Sequence, residues 1–123
     1  MNNFKELKVW QRAVDFSVLI YKSANKFPPK EQFGIISQIT RCGVSIPSNI
    51  AEGAGRNTEK DFGRFLGIAL GSSFEMETQL IIANKIGYLN DIDYKKLNTE
   101  IIEIQKMIYG LQKFNKIKLV KGT

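Results

Sequence analysis

From Tyr94 onward, apolar residues recur at Leu97, Ile101, Ile104, Ile108 and Leu111. Only an α-helix gathers a 3–4–3–4–3 spacing onto one side. The same period runs through most of the chain, and prolines stand only at 28, 29 and 47. No run alternates apolar and polar residues as a half-buried strand would. The chain is therefore expected to be all-α.

Four helices follow from the breaks. The first spans about Leu7 to Lys26, with Val9, Ala13, Phe16 and Ile20 beside Trp10, Val14 and Tyr21. Pro28-Pro29 ends it, because proline disfavours αR in the residue before it and lacks an N–H to continue the ladder. The second starts near 29–32 and runs through Ile36, Ile39, Gly43, Ile46 and Ile50, with Pro47 predicting a kink or a split between Val44 and Asn49. Thr58 followed by Asp61 reads as a cap for the third, which should reach Tyr88, about 31 residues and about 45 Å. Gly87 and Asn90 are its expected stop, and Asp91 or Asp93 should cap the fourth, which fades near Lys116. Short connections favour an antiparallel up-down four-helix bundle, a single domain over 1–117 with a Lys-containing tail at 118–123.

Composition excludes much chemistry. There is no histidine and only one cysteine, Cys42. His-based triads, His–metal sites, intrachain disulfides and Cys-cluster zinc sites cannot be assembled. Neither cofactor nor metal is expected, and the chain is not expected to be an enzyme. Uncharged runs fall well short of the roughly 20 residues that cross a bilayer, and the apolar run at 16–21 is too short for a signal sequence. A cytoplasmic protein without membrane contact is the expectation.

The formal charge is +6, unevenly spread. Residues 1–30 carry six Lys/Arg and two acids, residues 111–123 four Lys and no acid, and the stretch between them has an acidic excess. Lys5, Lys8, Arg12, Lys22, Lys26, Lys113, Lys116, Lys118 and Lys121 are candidate phosphate contacts, with Arg56, Lys60 and Arg64 forming a further i,i+4,i+8 ridge. No base-reading motif accompanies them.

Other residues are more ambiguous. In SIPSNIAEGAGR (45–56), Asn49, Glu52 and Arg56 can share a helix face. They form either a polar ligand or phosphate site, or the repair of a Pro47 kink followed by a glycine stop at Gly53 and Gly55. Gly63, Gly67 and Gly71 recur every four residues, each costing about 1 kcal/mol against Ala, so close approach of another backbone, within the bundle or across subunits, is expected to offset them. Glu75 and Glu77, two apart, cannot form a close carboxylate pair and suit interface bonds instead. Helices three and four carry apolar residues off their main stripes, such as Phe65, Ile68, Phe74, Ile82 and Tyr109, which predicts a homo-oligomer.

FKELKVWQRAVDF (4–16), QITRCGVSIPSNIAEGAGR (38–56) and FLGIALGSSFEMETQLIIA (65–83) resemble the four helix bundle proteins, also called 23S ribosomal RNA intervening-sequence proteins, over about residues 4–117. The motif falls on Ser45, Asn49, Glu52, Gly53, Gly55, Arg56, Gly71, Ser72, Glu75 and Glu77. Thr40 stands where members often carry a second basic residue, leaving Arg41 alone in any anion site there, and Cys42 replaces a small apolar residue. The resemblance implies a bacterial protein forming a ring-like homopentamer. Relatives are encoded within intervening sequences of ribosomal RNA genes, and a similar protein of diversity-generating retroelements binds nucleic acid and a reverse transcriptase. An RNA- or DNA-binding oligomer is the leading expectation. The alternative is a protein–protein scaffold that organises an enzyme partner without touching nucleic acid.

Overall fold

The computed structural model describes residues 3–121, the side chains of 120 and 121 excepted. Four α-helices occupy them: α1 (Lys8–Ala24), α2 (Ile35–Ala54), α3 (Glu59–Lys85) and α4 (Asp91–Lys121). Short 3-10 turns at Phe4–Glu6 and Pro29–Glu31 precede α1 and α2. The described residues contain no strand.

One core joins all four helices. Ala13, Phe16 and Ile20 enter it from α1, Ile39, Ile46 and Ile50 from α2, Leu66, Met76 and Leu80 from α3, and Ile101, Ile104 and Ile108 from α4. Each large side chain stabilises the fold by about 1.5–3 kcal/mol through burial. Two buried hydroxyls are satisfied inside their own helices, with Thr40 donating to the Ile36 carbonyl at 2.7 Å and Ser73 to that of Leu70 at 2.6 Å.

Several element boundaries differ from expectation. α2 begins at Ile35, after a separate 3-10 turn that Pro29 opens. It continues through the buried Pro47 as one helix rather than two. The proline withholds an N–H from Gly43, and Asn49 Nδ2 reinforces the neighbouring Ser45 carbonyl at 2.8 Å. α3 has 27 residues and ends at Lys85 rather than Tyr88, because Gly87 turns the chain with a φ of +86°. Asn90 caps α4, its Oδ1 accepting from the Asp93 N–H at 2.8 Å, while Asp91 and Asp93 face the positive helix end. α4 does not fade near Lys116 but runs to Lys121, so 118–121 are helical, while 122–123 lie outside the described residues.

The glycine stripe does not bring two backbones together within the chain. A Cβ on Gly63 would meet Asn115 Nδ2 at 2.9 Å, one on Gly67 would meet Gln112 Nε2 at 3.7 Å, and one on Gly71 nothing within 4 Å. The tightest helix approach is instead at Gly53, where a Cβ would lie 2.7 Å from Phe65 Cβ and 3.1 Å from Phe62 Cδ1. Gly53→Ala should therefore destabilise the fold by about 1–3 kcal/mol in urea denaturation. Gly110→Ala, with open space at its Cβ, should stabilise it by about 0.5–1 kcal/mol.

Candidate nucleic-acid interface

The first turn before α1, the α2–α3 connection and the last turns of α4 meet at one end of the molecule. Leu7, Ala54, Thr58, Phe62, Phe114 and Lys118 line a shared cavity of about 260 Å³ there. Asn115, only 3% exposed, fastens the corner by donating from Nδ2 to the Glu59 carbonyl at 2.7 Å. Thr58 Oγ1 accepts from the Asp61 N–H at 3.1 Å and starts α3 at the same place.

This corner is basic. Segments 3–8, 52–64 and 113–118 together hold eight Lys/Arg against four acids. Lys5, Lys8, Arg56, Lys60, Arg64, Lys113, Lys116 and Lys118 are all exposed. Four of these cations lie over aromatic rings. Arg56 and Arg64 cover Phe65 at 4.9 and 4.7 Å, Lys113 covers Tyr109 at 5.6 Å and Lys118 covers Phe114 at 5.2 Å. Such stacking positions a cation without neutralising it. Arg56 also reaches Glu52 Oε1 at 3.1 Å, an exposed pair that salt screens.

Other basic candidates lie elsewhere. Arg12 makes a bidentate bond to Glu100, with Nε to Oε2 at 3.0 Å and Nη2 to Oε1 at 2.6 Å. That bond raises the Arg12 pKa further and ties α1 to α4. Lys22 and Lys26 line a separate groove with Asp93 and Lys96. Lys22 stands 14 residues beyond Lys8 on α1, about 21 Å away along the axis. Arg41 sits partway along α2, in a polar cleft facing α3. The side chain of Lys121 lies outside the described residues.

Three of the motif residues, Ser45, Asn49 and Ser72, form a seam between α2 and α3. Ser45 and Ser72 share a hydroxyl bond of 2.9 Å, Asn49 Nδ2 donates to Ser45 Oγ at 3.0 Å, and the Cys42 thiol donates to the Ser72 carbonyl at 3.1 Å. Glu75 and Glu77 diverge. Glu77 accepts from Gln105 Nε2 of α4 at 2.8 Å, whereas Glu75 lines the α2-facing cleft. Gln79, Gln105 and Asn115 were not singled out in the sequence. Asn115 could have been, because it occupies the position after Leu111 on the α4 apolar seam. Among the described residues, no group of three or more His, Cys, Asp or Glu is placed to hold a metal ion, and no helix is long and apolar enough to cross a membrane.

Burial, followed by the Glu75 charge, pushes the Cys42 thiol from 9.0 up to about 12. A raised acid pKa favours the protonated native state, so this stability contribution is complete below about 9 and is lost as pH rises towards 12. The Cys42 thiol should resist a disulfide reagent at pH 8 in native protein and react at once in denaturant.

A family model described as 23S rRNA-intervening sequence protein matches residues 5–110. A solved structure from Bacteroides thetaiotaomicron, a protein of unknown function from the S23 ribosomal protein family, is 28% identical. Its TM-score is 0.80, and the match covers 85% of this chain and 95% of that one. No curated protein matches the chain.

Proposed function

Since the chain belongs to the 23S rRNA-intervening sequence protein family, we propose that it is a non-enzymatic, homo-oligomeric helical bundle that binds RNA or DNA through its basic end. The observation that carries the reading is the meeting of three sequence-distant basic segments around one cavity, next to Asn115. A concentrated cationic surface on neutralised helices is the footprint of phosphate-directed binding. No element at that corner is arranged for base readout, so affinity there should depend on salt more than on sequence.

The contact registers support an antiparallel up-down arrangement. Glu59 meets Asn115 while Glu77 meets Gln105, and Arg12 meets Glu100 while Leu7 lies beside Leu111. Each pair of partners moves in opposite directions along its two helices.

Self-association is supported by the outer side of α3. Ile68, Phe74, Ile81 and Ile82 are exposed there, and Gly71 has nothing within 4 Å. A helix-weakening glycine with no intrachain reason is explained if a second copy packs against it. The family resemblance favours a pentamer, whose charge would be roughly +30 in total.

In a mobility-shift titration with structured RNA, Lys60→Glu combined with Lys116→Glu should abolish binding at low salt, whereas Lys22→Glu combined with Lys26→Glu should retain most of it. Each lost phosphate contact should lower the slope of log affinity against log salt by about 0.7–0.9. Failure of the unmodified chain to bind at low salt overturns the nucleic-acid reading and leaves the protein–protein scaffold. Light scattering of Gly71→Leu should show smaller particles than the unmodified chain, and a monomer in both overturns the oligomer.

A further inference from the structure

α2 and α3 leave between them a polar cleft of about 640 Å³, within the range that takes a small organic ring. Arg41, Cys42 and Ser45 line it from α2, and Ser72, Glu75 and Gln79 from α3. It is distinct from the basic end, since Arg41 lies 13 residues before the last residue of α2, about 20 Å along the helix.

The Ser45 and Ser72 hydroxyls are bonded to each other and the Cys42 thiol to the Ser72 carbonyl, as described above. Its charged and amide groups share only the long contact from Gln79 to Glu75. Arg41 and Glu75 share the cleft, yet neither forms an ion pair among the described residues. Glu75 is close enough to α2 to act on the Cys42 thiol. Gln79 is 9% exposed, its Nε2 reaches Glu75 Oε1 only at 3.5 Å, and its Oε1 is buried without a partner. The unpaired Gln79 oxygen is sealed from the cleft, so the groups that face a ligand are the Glu75 carboxylate and the Arg41 guanidinium. A fitting ligand must therefore donate to the α3 wall and accept from Arg41. A neutral ligand also suits a cleft whose two charges cancel.

We propose that this cleft reads a guanine base. Guanine N1–H and the adjacent 2-amino group offer two side-by-side donors to the Glu75 carboxylate, while O6 and N7 accept from the Arg41 guanidinium. No other base matches. Cytosine and adenine place a ring-nitrogen lone pair beside their amino group, and uracil flanks its single N–H with two carbonyls, so each sets an acceptor against the carboxylate. The source of the base, where it is a nucleic acid, rests on the reading of the preceding section. A free guanine nucleotide presents the same edge.

The test is saturation-transfer NMR on the full chain, titrated with GMP, IMP and AMP. GMP should bind in the cleft, IMP, which lacks the 2-amino group, about tenfold more weakly, and AMP not measurably. Glu75→Gln and the exposed Arg41→Gln should each weaken GMP about tenfold with unchanged circular dichroism. Equal binding of GMP and AMP, no binding of GMP, or an unaffected Glu75→Gln variant overturns the assignment. A preference for guanine-containing over adenine-containing single strands identifies nucleic acid as the source, and GMP selectivity without that preference identifies the free nucleotide. The two readings fail separately. RNA binding without base discrimination removes only the guanine site. GMP selectivity in a chain that binds no RNA removes only the basic-end interface.

Discussion

The buried edge of α3 is the constraint on which the other helices depend. Leu66, Ala69, Ser73, Met76, Leu80 and Ala83 follow one another along it without exposure, mixing large and small volumes. The small residues admit the neighbouring helices, and the large ones fill what remains. Gly43 of α2 lies under the Met76 methyl group, and Gly53 receives Phe62 and Phe65. On the other side, Gln105 of α4 bonds back to the Ser73 carbonyl and Glu77. α3 is therefore clasped by α2 and α4, and where its N-terminus goes, the α2–α3 connection and the end of α4 must follow. That is how basic segments more than 40 residues apart come to share one corner.

The helical pattern was legible because a 3–4 apolar repeat and a one-faced core are the same fact. Caps were partly legible: Thr58 with Asp61 carried its own chemistry, whereas Asn90 read as a stop for α3 although its side chain caps α4. Of the two outcomes that Pro47 allowed, a kink or a split, the split is absent, because local sequence shows the missing N–H but not the burial that keeps α2 one helix. The glycine stripe was legible only in part. Spacing revealed a small-residue surface but could not tell whether backbone, a side-chain amide or open space lay opposite. The basic residues were visible as charges, but their pairing was not. Arg12 has the same spacing credentials as Lys8, yet only the fold brings Glu100, 88 residues away, into bidentate reach.

The charge distribution has a consequence through what the chain lacks. With no histidine, no ordinary side-chain titration falls between about pH 6 and 8. The field at the basic end is then set by fixed lysines and arginines, and ionic strength is the variable that changes it. Stacking adds to this. Phe65, Tyr109 and Phe114 hold four cations over their faces, reducing the side-chain freedom that would be lost on meeting a phosphate.

Proposed assembly and proposed binding use different parts of the molecule, which matters for whether both can hold. The exposed apolar residues of α3 lie from Ile68 onward, whereas Lys60 and Arg64 belong to its first turns. About one helical turn separates the last basic residue from the first apolar one, so a second copy seated on Ile68, Phe74 and Ile82 need not cover the cations. The polar cleft is the more exposed to competition, because Glu75 stands on the same helix between Phe74 and Ile81. A neighbouring copy that packed there would either close the cleft or complete its wall. Closing it would bury Arg41 and Glu75 unpaired, at a cost that a partner without a matching donor and acceptor could not offset. Electrostatics thus favours an arrangement in which the apolar face is covered and the cleft stays open.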